Sequence, residues 1–298
     1  MNRKYIIDTD ENKRFMNELT GDLLRFGHRF PAPTGSSYYL GDDGTPWTDR
    51  PRETWITCRM AHVYSIGAIL GHEGSEDLVD QALKGIKGEL HDDVNGGWYP
   101  GITADGHVLP DKQCYAHAFV ILAACSAVLI NRPGARELLD EALELYDKKF
   151  WNDEEGLSCD TWNTDFTVCD PYRGLNANMH TVEAFLAAAD VTGSKLYRDR
   201  AGRIIDHVIA WAKDNGWRIP EHFTGSWEAD LDCNKDRPAD QFKPYGATPG
   251  HGIEWARLIS QWAASVFADR EGSQKYIDAA RNLFGRAVKD AWNADPLL

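Results

Sequence analysis

The stretch WITCRMAHVYSIGAILGHEGSEDLVDQALKGIKGELHDDVNGGWY, residues 55–99, decides the fold because it holds one complete structural unit. Met60, Val63, Ile66 and Leu70 recur at spacings of three and four, the period of one helix face. Gly71 follows where a C-cap glycine belongs. Ser75 then precedes a second helical run through Leu78, Val79, Ala82, Leu83, Ile86 and Leu90, and can serve as its N-cap. From Asp92 the texture changes to turn residues, Asp92-Asp93-Val94-Asn95-Gly96-Gly97, followed by Trp98 and Tyr99. That reads as a turn with a short strand or hairpin.

Outward from this unit the same pattern returns. Helix pairs are expected at residues 115–130 with 135–150, 180–191 with 195–213, and 253–268 with 274–291. Their first helices recur at intervals of about 60–75 residues, a period that signals an internal repeat. Turn chemistry recurs after the second helices, at Trp151-Asn152-Asp153-Glu154-Glu155-Gly156-Leu157 leading to Trp162, and at Asp214-Asn215-Gly216-Trp217 leading to Trp227. An opening helix carries Phe15, Leu19, Leu23 and Phe26 as one buried stripe. The expected fold class is all-α, an (α/α)6 toroid with short hairpins between helix pairs, whose inner helices present their starts to a central cavity. Asp290-Ala291-Trp292-Asn293-Ala294-Asp295 parallels the earlier turns, and the chain ends where a hairpin is due. The count comes to about nine of the twelve helices of a closed six-pair ring. Residues 1–298 are therefore expected to be a single barrel domain lacking its last helices, with an open helical array as the alternative. The longest irregular stretch, residues 216–250, is of a length more often functional than idle.

Composition excludes several function classes. With 46 acidic against 32 basic residues, and no Lys/Arg run, the chain has no surface suited to neutralising phosphates, so nucleic acid is not an expected partner. The longest apolar stretch, residues 118–130, is interrupted by Ser126 and too short to span a bilayer. The first eight residues lack the apolar core of a secretory signal. Cys58, Cys114, Cys125, Cys159, Cys169 and Cys233 form no CxxC pair, which points to free thiols in a reducing cytoplasm. Phosphate-binding glycine loops, the GxSxG nucleophile elbow and HExxH are all absent.

The polar residues at the inner-helix starts remain. Arg59 sits near the start of an apolar helix, where burial needs an anionic partner or an oxygen-rich ligand; a core carboxylate would serve equally. Tyr115 and His117 open the next inner helix, and Tyr115 can bond a sugar hydroxyl or simply pack. In Asn176-Ala177-Asn178-Met179-His180, either asparagine can cap the helix. His180 can carry protons, or can be a packed core histidine. In Pro249-Gly250-His251-Gly252-Ile253-Glu254, His251 and Glu254 are three apart and share a helical face. Glu254 then either orients the imidazole or answers the helix dipole. With Trp98, Tyr99, Trp162, Trp217 and Trp227 in the hairpins, hydrogen-bonding groups beside indole faces suit a neutral polyol.

Those segments carry a resemblance. WITCRMAHVYSIGAILG, GGWY, NANMHTVEAFLAA, PEHF (residues 220–223) and ATPGHGIEWARL resemble the N-acylglucosamine 2-epimerase superfamily, closest to its mannose and sulfoquinovose isomerase members. The likeness runs from the first helix to the end of the chain. It implies an (α/α)6 barrel and metal-independent, cofactor-free aldose–ketose isomerisation of a monosaccharide through a cis-enediol. It also implies that Arg59, Tyr115, Asn176, His180, His251 and Glu254 line the sugar site. His251 would transfer protons with support from Glu254, Arg59 would stabilise enediolate charge, and His180 and Asn176 would bind hydroxyls or share the proton work. Family members continue past this endpoint, and the missing helices carry a further histidine and glutamate. An open ring would expose apolar surface and favour homo-oligomers. The rival readings are an N-acyl-D-glucosamine 2-epimerase and an inactive, truncated sugar-binding barrel fragment. Glycoside hydrolysis is disfavoured, because it needs two opposed carboxylates.

Overall fold

A computed structural model describes residue 4, residues 6–267 and residues 270–292. The expected turn at residues 290–295 lies partly outside these described residues. Contacts divide the chain into two compact units, Met1–Asp111 with Leu122–Leu143, and Lys112–Ile121 with Glu144–Leu298. Among the described residues the secondary structure is mainly helical, with ten two-residue strands between the helices.

The first unit holds α1 (Asp10–Gly27), α2 (Thr54–Ile69) and α3 (Ser75–Lys87), with β1 (Tyr39–Leu40), β2 (Pro46–Trp47), β3 (Arg52–Glu53) and β4 (Gly101–Ile102). Helix α2 ends as the sequence predicts. Gly71 takes a left-handed φ of 78°, the His72 amide donates to Gly67 carbonyl at 2.9 Å and the Gly71 amide to Ala68 carbonyl at 3.0 Å, a Schellman arrangement. Ser75 is not the N-cap of α3: Gly74 holds that position in the left-handed region, and the Ser75 hydroxyl bonds His72 Nδ1 at 3.1 Å.

Two predicted faces are corrected. On α2 the buried residues are Thr54, Thr57, Cys58, Ala61, Tyr64, Ser65 and Gly67, whereas Met60 is half-buried and Val63, Ile66 and Leu70 are exposed. Apolar residues surround this helix, so the spacing fits more than one face. The small residues turn inward because α3 packs there: a Cβ on Gly67 would lie 2.7 Å from Ser75 Oγ. On α1 the stripe of Leu19, Leu23 and Phe26 is exposed, and Leu24 and Gly27 are buried instead. Close backbone approach fixes the 35–36 loop against α3, since a Cβ on Gly85 would come within 2.3 Å of the Ser36 nitrogen.

The second unit holds β5 (Lys112–Gln113) and the start of α4 (Cys114–Leu129). The end of α5 (Ala135–Lys149) leads into the hairpin β6 (Trp151–Asn152) and β7 (Leu157–Ser158). Then come β8 (Thr161–Trp162), β9 (Arg173–Gly174), α6 (Leu175–Thr192), α7 (Lys195–Asp214), β10 (His222–Phe223), α8 (Pro249–Val266) and α9 (Arg270–Ala291). Helices α6 and α7 pack as one pair and α8 and α9 as another, and α6 also packs on α8.

A rule of connection runs through both units. The strand just before an inner helix pairs antiparallel with a strand that follows an outer helix: β3 with β4, β5 with β8, β9 with β10. These pairs anchor the starts of α2, α4 and α6, where the candidate residues lie. Three of the hairpin tryptophans are tied down by hydrogen bonds within their own units, while Trp217 lines a small pocket with Arg218 and Thr248. Trp98 is fully buried and donates to Ile86 carbonyl at 2.9 Å, and Trp162 donates to Lys149 carbonyl at 2.7 Å. Trp227 stacks on Trp211 and donates to Glu155 at 3.0 Å.

Candidate active site

In the second unit, α4, α6 and α8 bring several predicted residues together. Helix α6 begins earlier than the periodicity indicates, at Leu175, with extended Gly174 as its N-cap. Neither Asn176 nor Asn178 caps it, because both lie inside the helix. Asn178 is fully buried: its Oδ1 accepts from the Ser158 amide at 2.9 Å, and its Nδ2 donates to the Ser158 and Gly174 carbonyls at 3.0 Å each. Asn176 is half-buried one residue after Leu175.

His180 follows, 4% exposed. The Tyr115 ring meets it edge-on at 5.1 Å and the Phe119 ring lies at 4.6 Å, while Phe242 stands 6.1 Å from Tyr115. Its Nδ1 lies 3.1 Å from Glu183 Oε2. The other Glu183 oxygen accepts from Arg257 Nη2 at 2.8 Å. Burial alone would raise the Glu183 pKa, but the His180 bond and the Arg257 guanidinium overcome it and hold the carboxyl down at about 2. Glu183 is therefore an anion at neutral pH, with acceptors only to offer.

Helix α8 starts with Pro249 in its first turn, as the sequence predicts, and places His251 and Glu254 there. The carboxylate that hydrogen-bonds His251 is Glu221, not Glu254. Glu221 Oε2 lies 2.9 Å from His251 Nδ1, and Oε1 accepts from the Thr248 amide at 3.0 Å. Glu221 is nearly buried, with a side chain 3% exposed. Burial disfavours a charged His251, yet the Glu221 bond and charge, with a smaller contribution from Glu254, raise its pKa above the usual value. Glu254 belongs more to the other cluster: potential ligand atoms of His180, Glu183 and Glu254 lie within 4.8 Å of one another. Such a set has the donor types of a divalent-cation site, but the Arg257 guanidinium already supplies positive charge there, bonded to Glu183 and 3.7 Å from Glu254.

The remaining candidates divide. His117 is a packed core histidine, with Nδ1 2.7 Å from the Gln113 carbonyl and Phe150 at 4.7 Å. Arg59 belongs to the first unit, on α2; its side chain is exposed, and its guanidinium lies 5.5 Å from the Trp55 ring centre, so no burial cost attaches to it. Sequence reasoning missed Glu221, Glu183 and Arg257 as functional groups. Glu183 was within reach, being three residues after His180 on one helix face, and so was Arg257, three after Glu254. Glu221 stands 30 positions from His251 across the irregular segment, where no local period reports contact.

Two imidazoles, each tied through Nδ1 to a carboxylate, are equipped to carry protons at Nε2. Comparisons with known proteins agree with a sugar-transforming site. The chain is 39% identical over 277 residues to a D-mannose isomerase of Thermobifida fusca, covering 92% of this chain and 67% of that protein. It is 42% identical over 258 residues to a D-mannose isomerase of Pseudomonas cannabina pv. alisalensis, covering 86% and 62%. The chain thus spans about two thirds of the length of these relatives. A crystal structure of D-mannose isomerase superposes with a TM-score of 0.88 at 26% identity, covering 97% of this chain and 73% of that one. The fold class of this chain is that of the (α/α)6 barrels, as the helix-pair repeat leads one to expect, with nine helices among the described residues. The family model for N-acylglucosamine 2-epimerase (GlcNAc 2-epimerase) matches residues 35–296, and the chain belongs to that family.

Proposed function

We propose that the protein is a metal-independent aldose–ketose isomerase that interconverts mannose-type aldoses and fructose-type ketoses. The observation that carries this reading is the pair of carboxylate-tied histidines, His180 with Glu183 and His251 with Glu221. In the open-chain aldose, a neutral imidazole takes the C2 proton while the carbonyl oxygen at C1 gains one, giving a cis-enediol. Loss of the O2 proton and delivery of a proton to C1 then completes the ketose, so atoms and electrons balance without an external oxidant. His251 is assigned the carbon proton transfer, because Glu221 orients it and favours its protonated form after abstraction. His180, Asn176 and Tyr115 are assigned hydroxyl contacts and the oxygen protons, Glu254 a supporting carboxylate, and Arg59 the developing enediolate charge. Cytoplasmic location belongs to the same proposal. Among the described residues no helix is long and apolar enough to cross a membrane, and no disulfide joins the six cysteines.

The second reading, 2-epimerisation, rests on the family match itself. It returns the proton to the opposite face of C2 instead of to C1. Proton NMR of the protein with D-mannose in D2O separates the two. Growth of fructose signals, with deuterium at C1, supports isomerisation. Growth of glucose signals without fructose supports epimerisation and overturns the isomerase.

A further inference from the structure

The Glu183 carboxylate touches two donors of different character. His180 Nδ1 lies 3.1 Å from one oxygen and Arg257 Nη2 lies 2.8 Å from the other. Arg257 comes from α8 and the other two from α6, so the contact joins the helix of His180 to the helix of His251. Glu254 lies close enough that two carboxylates would repel; the guanidinium stands between them, 3.7 Å from Glu254. The rings of Tyr115 and Phe119 pack on the imidazole.

We infer that Glu183 is a positioning residue that locks His180 as the Nδ1–H tautomer, leaving Nε2 as the basic nitrogen, and that Arg257 holds the carboxylate in place for this. The physical reason is directional. An ionised carboxylate has no hydrogen to offer, and guanidinium has no lone pair to accept one. A carboxylate between guanidinium and imidazole therefore fixes the proton on the imidazole side. An imidazole held this way offers a substrate hydroxyl an acceptor, and one rotated or re-protonated offers only a donor. The activity arm of this inference rests on the isomerase reading; the tautomer does not.

Glu183→Gln gives the discriminating test. Arg257 donates only, so it claims the amide oxygen and turns the amide NH2 toward His180 Nδ1. That nitrogen must then accept, and the proton moves to Nε2. In protein carrying 15N-histidine, long-range 1H–15N correlation spectra read each ring's tautomer without any sugar present, and His180 is assigned by the loss of its signals in His180→Gln. Wild type is expected to show Nδ1–H at His180 and E183Q to show Nε2–H. The double variant E183Q/R257M removes the donor that claims the amide oxygen, which can return to His180 and restore Nδ1–H. Wild type with Nε2–H, or E183Q with an unchanged tautomer, overturns the inference; the wild-type spectrum alone decides it if E183Q does not fold. With sugar, E183Q is expected to lose about 10²-fold in kcat, the lower range for an acid–base group, with KM within threefold. A tautomer that inverts in a protein with no isomerase activity at all would refute the proposed function and leave the tautomer lock standing.

Discussion

Replacing Glu221 by Gln removes the charge beside His251 while keeping the size of the side chain and an acceptor for the Thr248 amide. In the native site burial works against imidazolium, and Glu221 more than compensates, with a pKa above 6.5 as the result. A hydrogen bond to a charged partner contributes about 1.5–3 kcal/mol, so loss of Glu221 should lower the His251 pKa from its raised value. A base acts in its neutral form, so kcat/KM of wild type falls as pH drops through the raised pKa, and the E221Q limb should lie at lower pH. The amide also presents NH2 to Nδ1 and so misplaces the proton, a defect of about 10⁴-fold in kcat in the serine-protease case; a loss of 10²–10⁴-fold is the expectation here. Linkage adds an independent sign. A raised folded-state pKa contributes stability in full below the unfolded value near 6.5, and that contribution is lost as pH rises through the folded pKa. Urea denaturation should accordingly show E221Q to be more destabilised at pH 5.5 than at pH 8.5. The assay is a pH profile of mannose-to-fructose turnover between pH 4 and 9. An acid limb that stays put, with kcat unchanged, refutes the assignment of His251 and its partner.

Other perturbations test separate contacts. Glu183, at a pKa of about 2 against an ordinary 4.5, contributes roughly 3 kcal/mol of stability above pH 4.5 that disappears as pH falls toward 2; E183Q should flatten the fall in urea midpoint between pH 5 and pH 2.5, and an unchanged slope would discount the His180–Glu183–Arg257 contact. Asn178→Ala strands the Ser158 amide and two carbonyls, so it should cost about 2–4 kcal/mol in chemical denaturation. Gly85→Ala should destabilise by about 1–3 kcal/mol or prevent folding, since the new methyl meets backbone at Ser36 rather than a movable side chain. Arg59→Lys should reduce kcat/KM by about tenfold or more if the planar guanidinium holds enediolate oxygen; wild-type turnover in that variant would remove Arg59 from the mechanism.

The repeat was legible in the sequence because long amphipathic helices announce themselves by period. The predicted second helix of the third pair, residues 195–213, differs from α7 by a single residue. Orientation was less legible. Helices α2 and α6 carry apolar residues on every side, so a spacing of three and four does not select the buried face. Two-residue strands have no period to read, so the pairing of each strand before an inner helix with a later strand emerged only in three dimensions. His180 and His251 were visible because polar residues at the starts of apolar helices are costly exceptions. Their partners differ in kind. Glu183 belongs to the same helix turn, whereas Glu221 reaches His251 from another segment altogether, and only the fold puts them together.

Asn178 gives the β6–β7 hairpin an unusual partner. Its carboxamide accepts from and donates to the backbone of Ser158, as a neighbouring strand would, although it projects from a helix. A two-residue strand on its own frays in fractions of a second, and its amides exchange with solvent accordingly. The Ser158 amide cannot be released without disturbing a fully buried side chain in the second turn of α6. Its deuterium uptake should therefore follow the opening of that helix, hours rather than seconds, and a residue of a two-residue strand becomes a clock for the unfolding of the core beneath it.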